Sequence, residues 1–268
     1  FDMNNTIDPL MARYIMDEEY LDAPRDALLD QVVEMRRRFP RYEIYGDTRF
    51  EEAFTEKELE GATVLKSKMM ESSYIENLGN GKFNIRPLPL EAQFAPVYGM
   101  LAEDINADGH TDLMVVGNSF ATEANSGWYD AGIGYAFLGN GKGGFVTANM
   151  QKSGLYIDTD AKAAVTMLSE QQQPYYLFSA NSDSLKTYGL NSDHRDMMIV
   201  PLKANDFYAE ITMEDGRTYR QEFHYGEGYL SQTTRHLCLD KRGVKTVRIF
   251  DYQGESRSIK PENLALNY

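Results

Sequence analysis

The sequence predicts a mainly β fold, a partial β-propeller with a helical insertion and a small C-terminal β domain, on three observations. An oxygen-donor loop, Asp104-Ile105-Asn106-Ala107-Asp108-Gly109-His110-Thr111-Asp112, runs directly into the apolar stretch Leu113-Met114-Val115-Val116. The segment Leu78-Gly79-Asn80-Gly81-Lys82-Phe83 returns as Leu138-Gly139-Asn140-Gly141-Lys142-Gly143-Gly144-Phe145. From about Asp196 onward, short strand-like runs replace that pattern. The aromatic content of 12%, with 18 Tyr against a single Trp, suits pleated, half-buried surfaces.

At the N-terminus, Asp2-Met3-Asn4-Asn5-Thr6-Ile7-Asp8 fits positions three to nine of the same donor loop, with Asn5 in place of the glycine. Asn is the next most tolerant residue for a left-handed backbone. Asp2, Asn4, Thr6 and Asp8 are therefore candidate ligands, and Leu10 to Tyr14 is the strand expected after them. The other reading is a polar tail with a chance Asn-Asn-Thr sequon. A helical insertion is expected over about 18–62. Asp22 serves as cap, Pro24 lies in the first turn, and Leu28, Leu29, Val32, Val33 and Met35 share a face. Arg36-Arg37-Arg38 ends that helix, where positive charge suits the dipole; an anion site is the alternative to a solvated helix end. Pro40 stops it, and further helical pieces are expected over Phe50 to Phe54 and Glu56 to Leu59.

The two Asn-Gly segments read as hairpin turns, because both turn residues tolerate positive φ. In the 104–112 loop, Asp104, Asn106, Asp108 and Asp112 offer side-chain oxygens, His110 its backbone carbonyl, and Gly109 the sharp turn. Such a donor set suits Ca²⁺, which takes six to eight oxygens in irregular geometry. An EF-hand is excluded: position twelve is Val115 where a bidentate Glu is needed, and the flanking run is β-branched and apolar, not helical. An ordinary Asp/Asn/Gly turn is the bland alternative. A second copy of the pattern, about 60 residues later, echoes Met114-Val115-Val116-Gly117-Asn118 as Leu177-Phe178-Ser179-Ala180-Asn181. Its loop slot, Met167 to Pro174, lacks the acidic ladder, so no metal is expected there. Beyond a boundary near residue 192, strands are expected over Met197–Leu202, Tyr208–Met213, Thr218–Phe223 and Val244–Asp251. The two domains are thus 1–192 and 193–268.

A net charge of −14 argues against nucleic acid and anionic membrane surfaces as partners. No stretch approaches the roughly 20 apolar residues of a membrane span, so no transmembrane segment is expected. The lone Cys238 excludes an internal disulfide framework. The start at Phe1 suggests a processed protein or a fragment.

These motifs resemble the FG-GAP/VCBS repeat proteins that end in an ASPIC/UnbV-like domain. The resemblance rests on the 104–112 loop with its strand and Gly117-Asn118, on Tyr129-Asp130-Ala131, on Leu138 to Phe145, and on Asn181 to Leu185. Gly226-Glu227-Gly228-Tyr229-Leu230-Ser231-Gln232 is similar to the Gly-Tyr-Leu-Ser-Gln stretch of the terminal domain. The resemblance implies a seven-bladed, calcium-dressed propeller on exported or cell-surface proteins. The chain departs from it in two ways. About three blade-equivalents are present, so the remaining blades are expected before Phe1, and Cys238-Leu239-Asp240 stands where the family has a Gly-Leu-Gly-like segment.

His110, His194, His224 and His236 show no metal-ligand spacing, and Ser231 lies outside a Gly-x-Ser-x-Gly elbow. Two functions from different classes follow. The first is a calcium-stabilised exported binding or scaffold module recognising a protein or glycan through the loop Asn118 to Tyr135, whose Phe120, Trp128, Tyr129 and Tyr135 either meet a ligand or fill a blade interface. The alternative is a glycan-processing enzyme using paired carboxylates.

Overall fold

The computed structural model describes residues 7–106, 108–124, 126–171, 173–190 and 197–260. It is mainly β, built from several small antiparallel sheets. Contacts divide the chain into two compact units, Phe1–Met69 and Met70–Tyr268. The boundary expected near 192 falls within 191–196, outside the described residues.

The first unit opens with the hairpin β1 (Ala12–Ile15) and β2 (Glu18–Leu21), turned by Met16 and Asp17 at positive φ. The helical insertion therefore begins later than residue 18, at α1 (Arg25–Gln31). Asp22 is not its cap. Pro24 holds that position with extended ψ, and no side chain caps the helix. At Val32 the backbone leaves the helical region, and a 3₁₀ turn, Val33–Arg37, follows. That tighter winding turns Val33 outward (55% exposed), while Leu28, Leu29, Val32 and Met35 join Phe39, Ala53 and Phe54 in the core. After Pro40 come α2 (Tyr42–Asp47), which the sequence reading missed, and α3 (Phe50–Ala53). The expected helix over Glu56 to Leu59 is a turn, with Leu59 N–H donating to the Thr55 carbonyl at 3.2 Å. Arg38 is not simply a solvated helix end: it donates to the Ala53 carbonyl and forks onto Glu58 at 2.8 and 3.1 Å.

In the second unit the first Asn-Gly segment turns the hairpin β3 (Ser73–Gly79) and β4 (Lys82–Pro87), with Asn80 and Gly81 both at positive φ. A four-stranded antiparallel sheet follows in sequence order: β5 (Val97–Glu103), β6 (Asp112–Gly117), β7 (Tyr135–Gly139) and β8 (Phe145–Thr147). β6 is buried along its whole length. Leu113 and Val115 pack with Ala92 and Phe137 on one face, and Met114 and Val116 with Leu101, Tyr176 and Phe178 on the other. That double burial explains why its sequence is continuously apolar rather than alternating.

After the short helix α4 (Met150–Ser153) comes a three-stranded sheet of β9 (Ala161–Leu168), β10 (Pro174–Ala180) and β11 (Lys186–Gly189). β5 and β9 approach closely at Gly99, where a Cβ would stand 2.9 Å from the Ala164 nitrogen. The last part pairs β12 (Met197–Pro201) with β15 (His236–Asp240). Beside it stands a sheet of order β14-β13-β16-β17 from β13 (Asp206–Met213), β14 (Thr218–Glu222), β16 (Val244–Asp251) and β17 (Ser256–Ile259). Its separate core contains Met198, Val200, Ala209, Ile211, Leu237, Val247 and Ile249. Strands β15 and β17 were not anticipated from the sequence.

Candidate metal centre and the loop at the far end of its strand

β6 carries one candidate feature at each end. At its start, the loop Asp104 to Asp112 is organised by side-chain oxygens. The Asp108 N–H donates to Asp104 Oδ1 (3.1 Å) and Asn106 Oδ1 (3.0 Å), and the Gly109 N–H to Asp104 Oδ2 (2.8 Å). The His110 N–H donates to Asp108 Oδ1 at 2.9 Å, and Asn106 Nδ2 to Asp108 Oδ2 at 2.9 Å. Gly109 has φ 85°, the left-handed turn that favours glycine. The side chains of Asp104, Asn106 and Asp108 thus accept from the consecutive amides of Asp108, Gly109 and His110.

Asp112 behaves differently. It is fully buried, and its two oxygens accept from the Ile105 N–H (3.1 Å) and the Gly139 N–H (2.8 Å), tying the loop to β7. Burial pushes its carboxyl above the usual range, the two amide bonds oppose that shift, and the Asp108 and Asp104 charges add to it. Gly139 is glycine for a steric reason: a Cβ would collide with the Thr111 carbonyl. The His110 ring lies against Gly141, where a Cβ would sit 2.5 Å from Nδ1.

Glu103, just before the loop, accepts from the Thr166 hydroxyl (2.5 Å) and the Tyr176 hydroxyl (3.2 Å). Burial first, then the Glu103 charge, raises the Tyr176 phenol. The Cys238 thiol is pushed up to about 12 by burial, with the Glu103 and Asp104 charges adding. Such a shift disfavours the thiolate, the form that acts as a nucleophile.

Of the N-terminal candidates, Asp8 is half-buried, and Asp2, Asn4 and Thr6 lie outside the described residues. Among the described residues, no three His, Cys, Asp or Glu side chains stand together as a metal site. The 104–112 donors are a mixed set, however, with one amide, one backbone carbonyl and Asp112 turned inward. His224 stands 3.6 Å from Glu222, His236 Nδ1 lies 2.6 Å from the Thr234 carbonyl, and His194 is outside the described residues. Ser231 sits in a tight turn bridged to Gly228, its Oγ buried with no hydrogen-bond partner.

At the other end of β6, Asn118 is fully buried at φ 79°. Its Nδ2 donates to the Gly132 (2.8 Å) and Thr159 (3.1 Å) carbonyls, and its Oδ1 accepts from the Gly132 N–H (2.9 Å). Lys162 Nζ donates to the Asn118 carbonyl at 2.9 Å, pairs with Asp160 at 2.5 Å and lies 3.9 Å from the Tyr98 ring centre. Ser119 and Tyr129 exchange two backbone hydrogen bonds of 2.9 Å, and the Thr122 hydroxyl donates to the Gly127 carbonyl.

The loop so pinned stacks Phe120 on Trp128 at 4.8 Å and 13°, leaving Trp128 65% and Tyr129 50% exposed. Tyr135 instead packs on Phe94 and Phe137. The four aromatics therefore divide between exposed surface and packing. The sequence reading took Asn118 only as part of a repeat motif; its role as the anchor of this loop had no signal beyond the Gly-Asn pair. The Asp160–Lys162 pair beneath it was missed. No protein-family model matches the chain, and no curated protein matches it either.

Proposed function

We propose that this chain is a calcium-stabilised binding module of an exported or cell-surface protein, built from FG-GAP/VCBS-type propeller blades and an ASPIC/UnbV-like end domain. In this reading the 118–132 loop meets a protein or glycan partner. The observation that carries the binding role is the bonding of that loop: at least seven hydrogen bonds tie a segment that holds Trp128 out in solvent. Large aromatic side chains held in place before binding lose little entropy when a partner arrives, which is why Trp and Tyr dominate binding surfaces.

The calcium role is supported by the donor chemistry. Asp104, Asn106 and Asp108 side-chain oxygens and the His110 carbonyl are hard ligands on one turn, with Asp112 behind them. The mutual repulsion of Asp104, Asp108 and Asp112 gives a divalent cation its differential affinity for the folded loop, and binding to the folded state alone adds stability by mass action. The close approach of β5 to β9 at Gly99 supports neighbouring blades that meet along their first strands.

A glycan array probed with and without chelator, beside a glycosidase activity screen, tests the reading. Saturable binding without turnover is the expected result. Turnover that one carboxylate substitution abolishes would replace this reading with the paired-carboxylate enzyme.

A further inference from the structure

The Phe120–Trp128 stack is a large aromatic surface that the fold holds in place and leaves open. The Phe120 ring is half-buried and the Trp128 ring exposed, so one face of the indole is backed by Phe120 and the other is presented to solvent. The negative face of an indole attracts a cation more strongly than any other side-chain ring. The charges around it point the same way. Glu123 and Asp130 flank the stack in the loop, both are exposed, and neither has an ion-pair partner among the described residues. No Lys or Arg lies between Ser119 and Gly134, and the whole chain carries a net charge of −14.

We propose that this stack is a platform for a guanidinium group, supplied by a basic segment of a partner protein. The proposal deepens the binding-module reading and rests on it. Arginine fits better than lysine because its planar, weakly hydrated head stacks flat on a ring while its edge N–H groups fork onto a carboxylate. One arginine can therefore use the Trp128 face and the Asp130 or Glu123 carboxylate together. A neutral sugar would use the face but leave the two carboxylates without a charge partner. The field of an acidic chain also steers a basic segment toward this loop and repels acidic competitors.

Trp128 is the only tryptophan of the chain, so emission excited beyond the tyrosine absorption band reports on this site alone. The full chain is titrated with an end-blocked Arg-Gly-Arg-Gly-Arg peptide, with its citrulline counterpart, and with maltohexaose, each in calcium and in chelator. The expected result is a saturable change in emission with the arginine peptide that weakens with added salt. The citrulline peptide should bind about fivefold more weakly or worse. By calorimetry, Trp128→Ala should lose about fivefold in affinity while Trp128→Phe loses less, since Phe keeps a ring face. The pair Glu123→Gln and Asp130→Asn, which leaves the rings intact, should weaken arginine binding and leave citrulline binding unchanged.

Equal response to arginine and citrulline, saturation by maltohexaose instead, or no response at all would each overturn the proposal. A calcium-dependent melting temperature that survives such a failure leaves the metal reading standing, so the two fail separately.

Discussion

Two of the carboxylate-closed turns in this chain solve the problem of that charge in opposite ways. In the first unit, Glu58 accepts from the Thr55 N–H (2.7 Å) and the Thr55 hydroxyl (2.9 Å), and Arg38 forks onto the same carboxylate. In the second, Asp104, Asp108 and Asp112 fold the 104–112 loop around backbone amides, with no ion-pair partner among the described residues. The acid strengths follow. The Arg38 hydrogen bond holds Glu58 down to about 2, whereas burial and neighbouring carboxylates push Asp112 up. A turn that carries its own guanidinium balances its charge within the fold; the 104–112 turn holds its carboxylates with no cationic partner among the described residues. The connection from β9 to β10 shows the third option: Ser169 N–H donates to the Gln173 carbonyl (2.9 Å) and Gln173 N–H to Ser169 Oγ (3.0 Å), so its closure uses no charge.

The largest effect should come from the buried carboxylate. Asp112→Ala leaves the Ile105 and Gly139 amides without an acceptor, and an orphaned buried donor costs about 1–3 kcal/mol. Urea unfolding should register a loss of about 3 kcal/mol already in chelator, and a larger one in calcium, where a ligand is lost as well. Ser169→Ala, which removes one hydroxyl acceptor from a half-exposed turn, should cost well under 1 kcal/mol. Equal costs at the two positions would break the distinction between a loop that charge organises and one that it does not.

Asp108→Ala separates the cation from the fold. Its oxygens accept only from His110 N–H and Asn106 Nδ2 in an exposed part of the loop. The variant should match the parent in excess chelator and fall below it in saturating calcium by about 2.7 kcal/mol, the size of the linkage at roughly a hundred times Kd. A melting temperature lowered equally in both conditions would make Asp108 a structural residue and remove the metal from the comparison.

How much of this was legible in the sequence depends on how local the physics is. The turn at 104–112, both Asn-Gly hairpins and β6 were readable because spacing, turn chemistry and burial all act within a few residues. The mainly β character followed from the same signals. Arg38 was not readable: three consecutive arginines after a helix look like a solvated end, and its partner Glu58 comes from a turn that the sequence marked as helix. Asp112 was read as one ligand among five, but its full burial is set by Gly139 on a strand that returns much later in the chain. Likewise, the exposure of Trp128 against the packing of Tyr135 depends on Asn118 reaching Gly132 and Thr159, which no local pattern encodes.

The smallest effect is acid sensitivity of the turn that supplies its own cation. Glu58 is depressed in the folded state, so it binds fewer protons folded than unfolded, and stability rises with pH wherever the unfolded chain holds the extra proton. Its contribution is complete above about pH 4.5 and is lost as pH falls toward about 2. The readout is local, the hydrogen-exchange protection of the Thr55 amide, which donates directly to the carboxylate. Protection should fall across that window in the parent, while in Glu58→Gln it should be low and flat, because a neutral amide neither titrates nor holds Arg38. The same scan at Gly109, whose amide donates to Asp104, should respond to calcium at neutral pH, and Thr55 should not. A Thr55 amide that calcium protects, or a Gly109 amide that it leaves unchanged, would mean that an internal guanidinium and an external cation are not alternative answers to one electrostatic problem.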